Sequence, residues 1–79
     1  MKLKKDIAIS DSGFLFNPSS GDSYSLNPIG VEIFKLLQKE KKDEDIIKHL
    51  TNEYAIDESS VEKDLYDFKI MLSNYKLIN

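Results

Sequence analysis

The chain changes its hydrophobic period once, between residues 26 and 27, and that change limits the fold more than any other feature. Ahead of it the repeat is two residues. In Leu3-Lys4-Lys5-Asp6-Ile7-Ala8-Ile9 the odd positions set Leu3, Ile7 and Ile9 on one face, as in a half-buried strand. Ser10-Asp11-Ser12-Gly13 reads as a turn, Phe14-Leu15-Phe16 as a second strand, and Asn17-Pro18-Ser19-Ser20-Gly21-Asp22 as a dense cluster of turn formers. In Asp22-Ser23-Tyr24-Ser25-Leu26 the alternation turns Tyr24 and Leu26 inward and Ser23 and Ser25 outward. Three short strands on short turns predict an antiparallel meander.

Beyond residue 26 the repeat is helical. Asn27 is a preferred N-cap and Pro28 suits the first helical position; Ile29, Ile33, Phe34, Leu36 and Leu37 then share a face. Gly30 in that first turn predicts close approach of the helix to the sheet, and the helix is expected to fray through Gln38-Lys39-Glu40-Lys41-Lys42. A second helix opens at Asp43 with Glu44 and Asp45 in its first turn and a stripe of Ile46, Ile47, Leu50 and Tyr54. The third starts from Asp57 as cap or from a capping box of Ser59 and Glu62, and Val61, Leu65, Phe68 and Leu72 form its core stripe. Leu77 and Ile78 fold back as an apolar tail. The expected fold is α+β, a three-stranded antiparallel sheet followed by three helices, in one domain over residues 1–79.

Composition removes most enzyme classes. The chain has no Cys and one histidine, His49, so thiol nucleophiles, disulfides, zinc fingers and multi-histidine metal sites are out of reach. It also lacks a Gly-rich phosphate loop and a serine elbow, so neither a catalytic residue nor a cofactor is expected. His49 lies off the helix-two stripe and reads as a solvated helix residue. All eleven basic residues are lysine, set against fourteen Asp and Glu, for a net charge of −3. Without arginine's bidentate fork, an acidic chain is poorly equipped for nucleic acid. No apolar run has the length of a membrane span, and Met1 to Asp6 does not lead into a signal-peptide core, so the expected location is cytoplasmic.

The residues carry one further pattern. Phe14-Leu15-Phe16-Asn17 through Tyr24-Ser25-Leu26-Asn27, then Gly30 and Glu32-Ile33-Phe34, resemble the core of the PqqD-like peptide chaperones, also called RiPP recognition elements. Asp45-Ile46 to Leu50, Tyr54, Asp57, Val61, Asp64-Leu65, Phe68, Leu72 and Leu77-Ile78 follow the same ordered set, so the resemblance spans about residues 7 to 78. It implies a fold similar to a winged helix-turn-helix. It also implies capture of the leader segment of a ribosomally made precursor peptide, presented to a modifying enzyme such as a radical enzyme, a cyclodehydratase or a leader protease. The leader would add as a strand on the edge formed by Asp22, Ser23, Tyr24, Ser25 and Leu26, with its side chains in the groove beside the third helix. Two positions depart from the pattern: Lys69 stands where relatives carry an aliphatic residue, and Lys76 where they turn with glycine.

On the third helix one flank of the core stripe carries Asp64, Asp67, Met71 and Tyr75, and the other carries Lys69 with Glu62. Either flank could line the groove. Tyr66 and Ile70 lie opposite the stripe and form a candidate surface for the modifying enzyme or for a homodimer. Glu58, Glu62, Asp64 and Asp67 read as a cap and a solvated face, not as metal ligands. The competing reading is a winged-helix transcriptional regulator, since helices two and three mimic a helix-turn-helix. Against it, Glu58 to Lys76 holds four carboxylates and three lysines, a net of −1, which suits a phosphate-walled groove badly.

Overall fold

A computed structural model of the protein describes residues 2–78. The strands are β1 (Ala8–Ile9), β2 (Phe14–Asn17) and β3 (Asp22–Ser25), joined in the antiparallel order β1-β2-β3. The helices are α1 (Pro28–Gln38), α2 (Asp43–Tyr54) and α3 (Glu58–Asn74). The first strand is shorter than its alternation predicts, because Lys5 and Asp6 turn and the Ile7 N–H donates to the Lys4 carbonyl at 3.4 Å. Leu3 instead bridges Ile78, and the Lys4 N–H donates to the Leu77 carbonyl at 3.0 Å. A residue ahead of the sheet is thereby tied to the chain's apolar tail, a pairing that no local pattern specifies.

The alternation in β2 resolves its apolar run into two faces. Leu15 is completely buried, whereas Phe14 and Phe16 lie on the outer face of the sheet, 55% and 44% exposed. The inner face joins Ile7 to Ile33, Phe34 and Leu37 of α1, Ile46 and Leu50 of α2, and Val61, Leu65, Phe68 and Leu72 of α3, with Leu77 closing the far end. Each fully buried Leu, Ile or Phe contributes about 1.5–3 kcal/mol relative to exposure, so this cluster dominates folding. Ile47 and Leu36 are half-buried at its margin, and Tyr54, expected in the α2 stripe, is 41% exposed.

The caps follow local chemistry at the helix starts. The Asn27 side chain accepts the Gly30 N–H at 2.7 Å, and Asp57, not Ser59, caps α3 by accepting the Ser60 N–H at 3.1 Å. The Ser59 and Ser60 hydroxyls also donate to the Asp57 carboxylate, and these bonds hold its pKa below the ordinary aspartate range. The stability it contributes is thus present above that range and is lost as the pH falls through its lowered folded value. Asp57→Asn should lower the urea midpoint at neutral pH, and the gap to wild type should shrink on acidification; a gap constant with pH would show that the carboxylate charge is not what caps α3.

The helix ends are built without glycine. Glu40 and Lys76 take φ of 57°. The Glu40 N–H donates to Leu37 and that of Lys41 to Leu36, and the Lys76 and Leu77 N–H groups reach Ser73 and Leu72 in the same way. Both are Schellman closures, and at α3 the accompanying hydrophobic contact is between buried Leu72 and Leu77. Far from fraying, α1 is therefore stopped sharply. Lys76 sits in a left-handed position, where a side chain costs about 1–2 kcal/mol and glycine does not. Allowing for the greater freedom of glycine in the unfolded chain, Lys76→Gly should stabilise by about 0.5–1 kcal/mol in urea unfolding.

Gly13 is the one turn position that demands glycine on two grounds. Its φ is +93°, and an added Cβ would lie 2.7 Å from the Leu26 carbonyl oxygen. Gly13→Ala should cost about 2 kcal/mol by the same assay, because it strains the β1–β2 turn and pushes against the end of β3.

Candidate functional site

The register decides what β3 offers to a partner. The Leu26 N–H donates to the Gly13 carbonyl at 2.7 Å, and the paired residues after them are Phe14 with Ser25, Leu15 with Tyr24 and Phe16 with Ser23. In an antiparallel ladder, bonded and non-bonded pairs alternate, so Leu26 and Tyr24 turn their main-chain groups toward β2. Ser23 and Ser25 turn theirs the other way, to the open edge. The β1 side agrees, since the Ser10 N–H donates to the Phe14 carbonyl at 2.9 Å and thereby directs Phe14 and Phe16 to β1, leaving Leu15 for β3. Two residues of β3 thus present N–H and C=O groups outward, with small, exposed, uncharged side chains.

Two clefts follow one another along α3 beside that edge, and together they form the candidate groove. At one end Tyr24 stacks on Tyr75, with ring centroids 4.3 Å apart and planes at 26°, so β3 is joined directly to the end of α3. Partial burial, then the charge of Asp22, raises the Tyr24 pKa above its ordinary value. Around this stack a cleft of about 340 Å³ is lined by Lys4, Asp22, Tyr24, Asn74, Tyr75 and Lys76, among others. Farther along α3, Asp64, Asp67 and Met71 face Asn27, Ile29 and Ile33 across a cleft of about 310 Å³ with Phe68 in its floor. Gly30 lies there too. A Cβ at Gly30 would stand 3.2 Å from Asn27 Oδ1, 3.4 Å from Leu26 Cβ and 3.5 Å from the Phe68 ring, so the tightest contact is with the helix's own cap, and the approach to the end of β3 and to α3 is ordinary packing.

The structure therefore separates the two flanks of α3. Asp64, Asp67 and Met71 line one cleft and Asp22, Tyr24 and Tyr75 the other, while Ser23, Ser25 and Leu26 line neither and belong to the strand edge; Lys69 lies on the other flank. There its ammonium pairs with Asp43 at 2.5 Å, at the start of α2, in a cleft shared with Ile47, Glu62, Leu65 and Tyr66. The pair is partly exposed and is worth at most about 1 kcal/mol. Lys69→Met should cost no more than that in urea unfolding, since the half-buried stem is retained. Tyr66 and Ile70 are exposed away from the groove, by 66% and 43%. His49 is half-buried and faces the Glu32 carboxylate at 3.5 Å across the α1–α2 contact, not free in solvent.

Sequence reasoning alone did not assign Lys4, Asn27, Ile29 or Ile33 to the groove. Only Gly30, an unexplained glycine in a first helical turn, signalled that something packs closely there. Among the described residues, no group of three or more His, Cys, Asp or Glu side chains is placed to hold a metal ion, and no helix is long and apolar enough to cross a membrane.

An open-edged antiparallel sheet over a helix-lined groove defines a scaffold suited to binding an extended peptide. The chain belongs to the PqqD family: the family model described as Coenzyme PQQ synthesis protein D (PqqD) matches residues 13–78. Among solved structures, one described as TbiB1 in complex with the TbiA(beta) leader peptide is similar over 100% of this chain and 95% of its own, with 32% identity and a TM-score of 0.87. A second, lasso peptide synthetase B1 complexed with the leader peptide, covers 94% of this chain and 91% of its own at 25% identity and a TM-score of 0.81. Curated protein sequences give no match.

Proposed function

We propose that the protein is a non-catalytic adaptor that captures the leader segment of a ribosomally made precursor peptide by strand addition to β3 and presents it to a modifying enzyme. The observation that carries this reading is the outward main chain of Ser23 and Ser25 above the α3 groove, in a fold whose two solved likenesses hold leader peptides. Main-chain bonds at Ser23 and Ser25 supply affinity without regard to sequence. Residues opposite Tyr24 and Leu26 would turn inward by strand alternation, toward the Tyr75 ring on one side and Met71 and Phe68 on the other. Selectivity then resides in those alternate side chains. Lasso peptide leaders are the first to try, since one likeness is named a lasso peptide synthetase component.

The acidic, arginine-free α3 offers nothing to a DNA groove, and Lys69, one of its few cations, is already held by Asp43. The test is an NMR titration of isotopically labelled protein, first with the TbiA(beta) leader and then with leaders of precursors encoded near its own gene. The expected result is the largest amide shifts at Ser23 and Ser25, with smaller ones at Asp64, Asp67, Met71 and Tyr75. Saturable binding with shifts confined to the α2–α3 cleft, or no binding by any of these leaders, would overturn it.

A further inference from the structure

The groove carries opposite charge at its two ends, and the strand-addition reading does not use this. At one end Asp64 and Asp67 line the cleft that faces Asn27 and Ile29. No cation lines that cleft; Lys63 stands one helical turn before Asp67 but lies outside the cleft lining and forms no ion pair with it. At the other end Lys4 and Lys76 both line the cleft and Asp22 is the one carboxylate in its lining, while Asp6 just outside it accepts the hydroxyl of Ser19 at 2.8 Å. Ion pairs among the described residues join Lys2 to Glu40, His49 to Glu32 and Lys69 to Asp43, and they involve none of the five charged groups that line the two clefts. Because α3 and β3 run in opposite directions here, with Tyr75 beside Tyr24 and Phe68 beside the residues after Leu26, the two charged ends lie along the line an added strand must follow.

Resting on the strand-addition reading, we infer that the groove orients its peptide by charge: the occupant carries a Lys or Arg over Asp64 and Asp67 and an Asp or Glu beside Lys4 and Lys76. The strand that fits runs antiparallel to β3, as both existing pairings in this sheet do. Its N-terminal end then lies at Asp64 and Asp67, so the basic residue precedes the acidic one. Spacing follows from the helix. From the midpoint of Asp64 and Asp67 to Lys76 is about ten residues at 1.5 Å each, or ~15 Å. A strand rising about 3.3 Å per residue covers that length in four to five residues. A peptide entering the other way would set its acid against Asp64 and Asp67 and its base against the lysines, so charge selects one direction where main-chain bonding alone does not.

The test is selection of phage-displayed random dodecapeptides on the folded wild-type protein, on the Asp64→Asn/Asp67→Asn double variant and on Ser25→Pro. Wild type should enrich Lys or Arg four to five residues ahead of Asp or Glu. The double variant should lose the basic preference and bind the selected peptides about tenfold more weakly, with the difference shrinking at high salt, as expected for partly exposed ion pairs. Peptides that are lost on Ser25→Pro but show no charge order would overturn this inference and leave strand addition standing. Selection unaffected by Ser25→Pro, or no selection on wild type, would overturn both.

Discussion

Ser25→Pro should sharply weaken peptide capture while leaving the protein folded. The Ser25 N–H faces the open edge, so proline there removes no ladder bond, and its restricted φ is tolerated on an edge strand. Tyr24, the residue before it, already has the extended conformation that a following proline requires. For the incoming strand the change is severe: one donor is lost, a carbonyl of the peptide is left buried without a partner, and the ring stands in the line of pairing. The expected loss is about 2 kcal/mol or more, roughly thirtyfold in Kd. Ser25→Ala, which keeps the N–H and removes only an exposed hydroxyl, should bind like wild type. Calorimetric titration of both variants with the same leader, beside their thermal unfolding curves, checks this; undiminished affinity in a folded Ser25→Pro protein would move the peptide off β3.

Phe34→Ala should act oppositely, on folding first and on binding only as a consequence. Phe34 is fully buried, at the place where α1 meets the rest of the core. Deleting a buried phenyl ring costs about 3–5 kcal/mol, through lost transfer energy and the cavity left behind. A domain of this size lies near the low end of the usual 5–15 kcal/mol of stability, so the variant should be largely unfolded at physiological temperature. Urea denaturation at low temperature should show the lost midpoint, and peptide affinity should fall only in proportion to the folded fraction. A cost below about 1 kcal/mol would mean that α1 is not packed around this ring.

Much of this architecture is legible in local spacing. The stripe Val61, Leu65, Phe68 and Leu72 is buried throughout, because a helix with apolar groups on one side has one low-energy way to face a sheet. The Asn27 cap is equally local, since its side chain reaches an N–H three residues ahead. The ends of α1 and α3 were not legible, because their left-handed residues are Glu40 and Lys76 in place of the glycine that would announce them. Their closure is stabilised by contacts such as Leu72 with Leu77, which depend on where the tail packs. Gly30 was half legible: an approach to the sheet was implied, and Leu26 lies at 3.4 Å from its would-be Cβ, but not that Asn27 stands nearer and Phe68 of α3 almost as near.

By itself, then, the sequence determined the order of the elements, the core stripe of α3 and the outward serines of β3, which follow from periods of 2 and 3.6 residues, but not that Phe14 and Phe16 face outward or that Tyr54 leaves the α2 stripe. It also left β3 as a short strand with serines facing out. Tertiary structure alone decided that the Leu26–Gly13 bond turns the main chain of Ser23 and Ser25 to the open edge, that Asp64, Asp67 and Met71 face the groove while Lys69 turns to Asp43, and that Leu3 meets Ile78. The reason is the range of the interactions: periodicity states which face of an element is apolar, but which neighbour each flank meets is settled only when separate elements pack together.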